Sequence, residues 1–270
     1  MRIDLHLHST ASDGAFAPAE VVRAAAAGGL HVIALADHDT TAGVAPALAA
    51  ARGHLHVIPA LEVSTTLDSV EYHVLGYYVD VMHPRLLSYG DVASSRRRDR
   101  MRGMIGRLEG LGVSVPFDEV EAAAGPDGRA VGRPHLARAL VERGYATSFA
   151  DAFDRYIGDH GPAYLPTNLL TPVEAIAMIH EAGGVAVWAH PRPDTLTRLL
   201  PQFLEWGLDG IECYRPRLSP AETAVIERTA GAHDLFVTGG SDWHGEWHGR
   251  LGTFAVTADE VAAFLARGGI

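Results

Sequence analysis

The feature that most constrains this fold is a recurring unit: a short apolar stretch ends in a polar cluster, and a helix-forming segment follows. His31–Ala36 runs into Asp37-His38-Asp39-Thr40, Val185–Ala189 into His190-Pro191, and Leu235–Thr238 into Gly239-Gly240-Ser241-Asp242-Trp243-His244. A strand apolar on both faces belongs to a parallel sheet covered by helices. Polar clusters at the carboxyl ends of such strands are where these sheets carry their sites. The intervening segments read as helices: Pro18 to Gly28-Gly29, Ala42–Arg52, Thr171–Ala182, Thr195–Trp206 and Pro220–His233, several opened by proline. A strand at Gly210–Tyr214, a short one near Phe254–Val256 and a helix from Asp259 complete the pattern. Strands alternating with helices predict an α/β fold whose sheet is closed, or nearly closed, into a barrel.

The first strand carries the sharpest chemical signal. In Ile3-Asp4-Leu5-His6-Leu7-His8 the period of two sends both imidazoles to one face, where they can chelate one ion. Ser12-Asp13-Gly14 then turns and returns a carboxylate to the same rim. The strand His56–Thr65 places Glu62 among Val57, Ile58, Leu61 and Val63, so that carboxylate must be at the rim, paired, or bound to a cation. After a turn at Asp68-Ser69, the strand Glu71–Val79 carries His73. Nine residues thus stand at or near strand ends: His6, His8, Asp13, His38, Glu62, His73, His190, Asp242 and His244. Imidazole and carboxylate suit Mn²⁺, Zn²⁺ or Fe²⁺. Nine donors are too many for one ion and fit about three that share a bridging carboxylate. His31, His54, His56, His83, His160, His180, His233 and His248 fall in loops, on helices or at strand starts and are assigned no role.

From about His83 the pattern becomes helical: Ser88–Leu111, Asp118–Ala124, His135–Glu142 and Phe149–Ile157, with joints at Gly125-Pro126 and Gly161-Pro162. The expected organisation is a barrel from residues 1–85 and 169–270, interrupted by a helical, substrate-binding insertion at 86–168. Its most distinctive piece, Gly132-Arg133-Pro134-His135, puts Arg133 and His135 at a helix start, where backbone donors and the helix dipole favour an anion. Both are expected to contact substrate, and Arg192, just after the His190 strand, is a candidate for the same role. Asp37 and Asp39 flank His38 and are expected to orient it rather than to bind a metal.

Composition excludes several classes. All 22 basic residues are arginine, so the chain cannot run a Schiff base or a Walker-type phosphate loop. Eleven arginines and eleven acids lie between Ser88 and Asn168, so the net charge of −11 belongs to the remainder. That acidity argues against duplex DNA as a partner. The single cysteine, Cys213, excludes an internal disulfide and reads as a small buried residue. No apolar run approaches the ~20 residues that span a bilayer, and no leader is visible, so the expectation is a cytoplasmic protein without a membrane partner.

Together these residues resemble the PHP family, named for polymerase and histidinol phosphatase. The resemblance rests on His6-Leu7-His8, Ser12-Asp13-Gly14, Asp37-His38-Asp39, Glu62 in Leu-Glu-Val-Ser, His73, Ala189-His190-Pro191 and Gly240-Ser241-Asp242-Trp243-His244. It implies a distorted (β/α)7 barrel with three divalent ions, Mn²⁺ foremost and Zn²⁺ or Fe²⁺ as alternatives. By this likeness His6, His8, Glu62 and Asp242 hold one ion. Glu62, His73 and His190 hold a second, and Asp13, His38 and His244 a third. Several family members carry a histidine where this chain has Asp13. The insertion with Arg133 and His135 further resembles the branch that removes the 3′-phosphate of nucleoside 3′,5′-bisphosphates and digests short RNA from its 5′ end. The implied chemistry is attack on a phosphate ester by hydroxide formed at the clustered ions, with no protein nucleophile. Two alternatives stay open: a histidinol-phosphate phosphatase, and a PHP module without catalysis. An amidohydrolase of the usual kind would need a metal-bridging lysine, which this chain lacks.

Overall fold

The computed structural model describes residues 1–53, 55–124 and 131–270; His54 and the Gly125-Pro126 joint lie outside the described residues. The first part of the chain forms β1 (Arg2–Leu7), α1 (Pro18–Ala27), β2 (Val32–Leu35), α2 (Val44–Ala51), β3 (His56–Leu67) and β4 (Val70–Tyr77). Helices α3 (Pro84–Gly110), α4 (Phe117–Ala123), α5 (Arg133–Glu142) and α6 (Phe149–Ala152) follow, the last continued by a π-helical turn over Phe153–Ile157. The chain closes with α7 (Pro172–Glu181), β5 (Val185–Trp188), α8 (Pro193–Glu205), β6 (Gly210–Tyr214), α9 (Pro220–Ala232), β7 (Phe236–Gly239), β8 (Val256–Thr257) and α10 (Ala262–Arg267). Local chemistry sets the helix starts. Prolines occupy the first turns of α1, α3, α5, α7, α8 and α9. Ser219 opens α9 with a capping box, its backbone N–H donating to Glu222 at 2.9 Å. The end of the chain departs from expectation: Glu260 accepts from the Thr257 N–H at 2.6 Å and fixes a turn, so α10 starts only at Ala262.

The sheet runs β7-β6-β5-β4-β3-β2-β1-β8. β1, β2 and β3 pair in parallel, as do β5, β6 and β7. β4 runs against both its neighbours, and β8 against β1. A parallel bridge between Leu7 and Trp243 brings the segment after β7, at one edge of the curved sheet, against β1 near the other, and the His8 N–H donates to the Trp243 carbonyl at 3.0 Å. This nearly closed, distorted barrel tolerates only glycine at position 240, where a Cβ would stand 2.2 Å from the His6 Cβ.

Alternation along the strands fills the barrel in layers. Val32 and Ala34, Ile58 and Ala60, Leu75 and Tyr77, and Val185 and Val187 share one buried cluster. Two residues on from Ala60 comes Glu62; two residues before Leu75 comes His73. The residues between, Leu61, Val63, Ala186 and Trp188, pack outward with α7 and α8. α3 spans 27 residues and belongs to two cores. Its Leu86, Tyr89 and Ala93 join the barrel's outer cluster, whereas Met101, Met104 and Leu108 join Val120, Leu136, Leu140 and Ile157 in a separate apolar cluster among the insertion helices. α3 therefore runs as one continuous helix from the barrel's outer cluster into that of the helical segment. Among the described residues no helix is long and apolar enough to cross a membrane.

Candidate metal centre

Glu62 lies at the middle of the cluster and is fully buried. Its Oε2 stands 3.1 Å from His6 Nε2, 3.3 Å from His8 Nε2 and 3.1 Å from His38 Nδ1. Its Oε1 stands 2.9 Å from His73 Nδ1 and 3.0 Å from His190 Nε2. Asp242 Oδ1 completes the first nest, 3.5 Å from His6 Nε2 and 3.2 Å from His8 Nε2. Asp13 forms another with His244, 3.2 Å away, while His38 Nε2 and His8 Nδ1 stand 3.9 and 4.0 Å from its two oxygens. The structure therefore brings all nine cluster residues of the sequence reading to one rim. It groups His6, His8, Glu62 and Asp242; His38, Glu62 and His73; and His8, Asp13, His38 and His244. His38 and His8 each belong to two groups, so the nests are less separate than three independent sites would be. His73 reaches this rim because β4 turns back from β3 and runs antiparallel to it, so its beginning lies beside the end of β3.

Charge is tightly coupled here. Burial would raise the pKa of Glu62, but the imidazoles of His38, His6 and His73 hold it well below the usual carboxylate range. Burial likewise disfavours a charged His6, yet Glu62, Glu212 and Asp242 hold its pKa well above the ordinary value. Against the same penalty, Glu62 raises His73 to about 10 and Asp13 raises His244 to about 9. The carboxylates thus draw positive charge into the centre.

Seven buried donor atoms of the cluster have no hydrogen-bond partner among the described residues. They are His6 Nε2, His8 Nδ1 and Nε2, Asp13 Oδ1, His38 Nδ1, Glu62 Oε2 and Asp242 Oδ1. Leaving a buried polar group unsatisfied costs about 1–3 kcal/mol. Imidazole nitrogens and ionised carboxylates converging in this way fit divalent cations, whose positive charge would take the place of the protons those carboxylates otherwise draw onto the rings.

Buried acids around the cluster hold it in place. Glu212 Oε1 stands 3.0 Å from His6 Nδ1, and its Oε2 accepts the His190 N–H at 2.8 Å, so one buried acid orients two cluster histidines. Its signal matched that of Glu62: a carboxylate inside an apolar strand, Gly210–Tyr214. Asp4 accepts the Ser241 N–H at 2.8 Å, and burial pushes its carboxyl up to about 7. Asp37 accepts from the Ser9 N–H, the Ser9 hydroxyl and the Ser12 hydroxyl at 2.7, 2.7 and 2.6 Å; it shapes the loop that carries Asp13. Asp39 reaches into the insertion, accepting from Arg97 Nε at 2.7 Å and from the Tyr89 hydroxyl.

A cleft of about 380 Å³ opens beside the cluster, lined by Glu71, His73, Arg133, Asp159, His190 and Arg192, among others. Its size is that of a small-molecule site. Arg133 donates to Asp159 at 2.6 Å, stands 3.7 Å from Glu71, and lies over the rings of Phe153 and Tyr164. Arg192 is exposed and, among the described residues, pairs only with Asp194, two residues on. His135 is placed otherwise than expected: it is buried, and its Nδ1 accepts the Gly132 N–H at 3.0 Å, closing the first turn of α5. His248, given no role from sequence, stands at the rim with Nδ1 2.9 Å from the Asp242 carbonyl.

Comparison with known proteins agrees with this geometry. The PHP domain model matches residues 4–89. The chain is 36% identical over 249 residues to the 5′-3′ exoribonuclease Rnm of Escherichia coli (strain K12), covering 89% of this chain and 84% of that one. It is 34% identical over 254 residues to the 3′,5′-nucleoside bisphosphate phosphatase of Chromobacterium violaceum, covering 92% and 88%. A crystal structure from Bifidobacterium adolescentis, provisionally named a metal-dependent phosphoesterase, superposes with a TM-score of 0.88 at 33% identity over 98% of this chain and 96% of that one. With relatives this similar along nearly its whole length, and with this cluster of imidazoles and carboxylates in place, the chain belongs to the PHP family of metal-dependent phosphoesterases.

Proposed function

We propose that the chain hydrolyses the 3′-phosphate of nucleoside 3′,5′-bisphosphates, such as adenosine 3′,5′-bisphosphate, and the corresponding bond at the 5′ end of short RNA. The observation that carries the reading is that Arg133, from the insertion, lines both the cleft beside His73 and His190 and the well above Asp13, His38 and Asp242. A substrate with two phosphates fits this arrangement, one over the cluster and one at Arg133. The names of the two curated relatives support it.

In this reading about three Mn²⁺ ions per chain would be held by His6, His8, Glu62 and Asp242; by Glu62, His73 and His190; and by Asp13, His38 and His244. When bound, such ions supply Lewis acidity toward phosphoryl oxygens and activate water. Arg133 holds the distal phosphate through its planar fork, with Arg192 at the outer edge of the same cleft. Substrate binding requires Arg133 to exchange its contact with Asp159 for one with phosphate. Glu212 keeps the His6 and His190 rings in place. Water attacks phosphorus, the P–O3′ bond breaks, and a proton ends on O3′. Cys213 takes no part, since it is buried and its thiol pKa is pushed up by burial.

Histidinol phosphate fits less well, because its ammonium would enter a cleft lined by Arg133, Arg192 and Arg198. Phosphate release from a panel of mono- and bisphosphorylated nucleotides and histidinol phosphate, with Mn²⁺ supplied, tests the reading. Adenosine 3′,5′-bisphosphate is expected to be the preferred substrate, and a preference for histidinol phosphate would overturn the assignment.

A further inference from the structure

A second arginine-lined cavity adjoins the cluster, next around the rim from the Arg133 cleft. It holds about 400 Å³, and its lining includes His190, Arg215, Arg217, Leu218, Asp242 and His248. His190 is common to both cavities, and Asp242, 41% exposed at its side chain, opens into this one. The loop after β6 builds the cationic wall. Arg215 donates to the Pro191 carbonyl at 2.8 Å, which fixes its guanidinium against the segment that carries His190. Arg217 is held at φ +71°, a left-handed conformation that non-glycine residues adopt rarely and keep only where the surroundings impose it. Arg85, Arg97, Arg100, Arg133 and Arg143 all pair with carboxylates, whereas Arg217 has no acidic partner among the described residues. Two arginines lining a cavity beside a phosphate-cleaving centre suit a further phosphodiester.

We infer that this cavity is the subsite for the nucleotide on the 3′ side of the scissile phosphate, and that it serves RNA but not bisphosphorylated mononucleotides. The inference rests on the proposed function and deepens it. In both reactions water adds its oxygen to phosphorus, the P–O3′ bond breaks, O3′ takes a proton, and a nucleoside 5′-monophosphate leaves. The second product is free phosphate in one case and a shortened, 5′-phosphorylated RNA in the other. Only the RNA carries a sugar and a further phosphodiester beyond the scissile phosphorus. With the 5′-phosphate in the Arg133 cleft, that continuing strand must leave the cluster elsewhere. The Arg215/Arg217 cavity is joined to the centre through His190 and Asp242 and offers the cations its next phosphate needs.

Arg217→Asn tests this directly, since asparagine removes the charge yet tolerates the left-handed backbone; Arg217→Lys restores the charge. Wild type and both variants are assayed with Mn²⁺ on adenosine 3′,5′-bisphosphate and on a short 5′-phosphorylated oligoribonucleotide. Arg217→Asn is expected to lower kcat/KM on RNA by about tenfold or more, chiefly through KM, and to leave the bisphosphate within about twofold, with Lys recovering most of the loss. Equal losses on both substrates, no loss on RNA, or a wild type that cleaves the bisphosphate but not RNA would overturn the inference. A wild type inactive on both would instead overturn the proposed function on which it rests.

Discussion

Glu212→Gln isolates the role of a residue that touches two cluster histidines without belonging to the cluster. Glu212 accepts from His6 Nδ1 on one oxygen and from the His190 N–H on the other, at 3.0 and 2.8 Å, and is 1% exposed. Glutamine keeps the size but offers one acceptor and one donor. The His190 N–H can only donate, so it claims the remaining oxygen and leaves the NH₂ facing His6. His6 must then accept at Nδ1 and carry its proton on Nε2, the atom aimed at Glu62 and Asp242. A protonated nitrogen cannot ligate a metal. Loss of such an orienting partner typically lowers metal affinity about 10- to 100-fold, or about 1.4–2.7 kcal/mol. The assay is calorimetric titration of metal-free protein with Mn²⁺, alongside activity as a function of Mn²⁺ concentration. Both curves should shift to higher Mn²⁺ together, with much of the activity recovered at saturation. Affinity unchanged within about twofold would show that Glu212 does not set the His6 tautomer.

Other perturbations probe separate parts of the account. Arg133→Ala should raise KM for adenosine 3′,5′-bisphosphate by about tenfold while leaving p-nitrophenyl phosphate nearly unaffected; equal losses on both would remove Arg133 from substrate recognition. Arg97→Met strips the partner from Asp39, which is 2% exposed, and should destabilise the protein by about 3–5 kcal/mol, lowering Tm by on the order of 10 °C in a thermal melt. A wild-type Tm would mean that this ion pair does not anchor α3 to the barrel. Gly240→Ala forces a Cβ against His6 and should yield insoluble or metal-deficient protein; a soluble variant with full metal content would refute the tight closure between β7 and β1.

Much of this was legible in the sequence because the barrel writes its site at strand ends. The His6/His8 spacing, the acid inside β3 and the polar cluster after β7 each report local geometry, and local geometry follows from periodicity. Pairing direction does not. The turn at Asp68-Ser69 and the place of His73 near the start of the following strand are local, but that His73 lies beside Ser64 near the end of β3 follows from the antiparallel pairing, which the periodicity of β4 alone does not report. Glu212 carried the same signal as Glu62 but lacked a neighbouring histidine in sequence, and its partners His6 and His190 lie far along the chain. His135 shows the opposite failure. Its place at a helix start suggested an anion contact, but a ring nitrogen there can also accept the N–H of the residue opening the helix, and here it does. Asp39 is expected to orient its neighbour, whereas its partners are Tyr89 and Arg97 of α3 and the Ser64 N–H of β3, which no local pattern ties to the end of β2.

The central claim, that one rim of imidazoles and carboxylates gathers divalent cations for phosphoester hydrolysis, is tested most directly by elemental analysis of protein loaded with Mn²⁺ and dialysed, with activity measured before and after chelation. The account predicts about three ions retained per chain, activity lost on chelation, and activity restored when Mn²⁺ is returned. Protein that retains no metal, or that turns over substrate equally well in excess chelator, would contradict it.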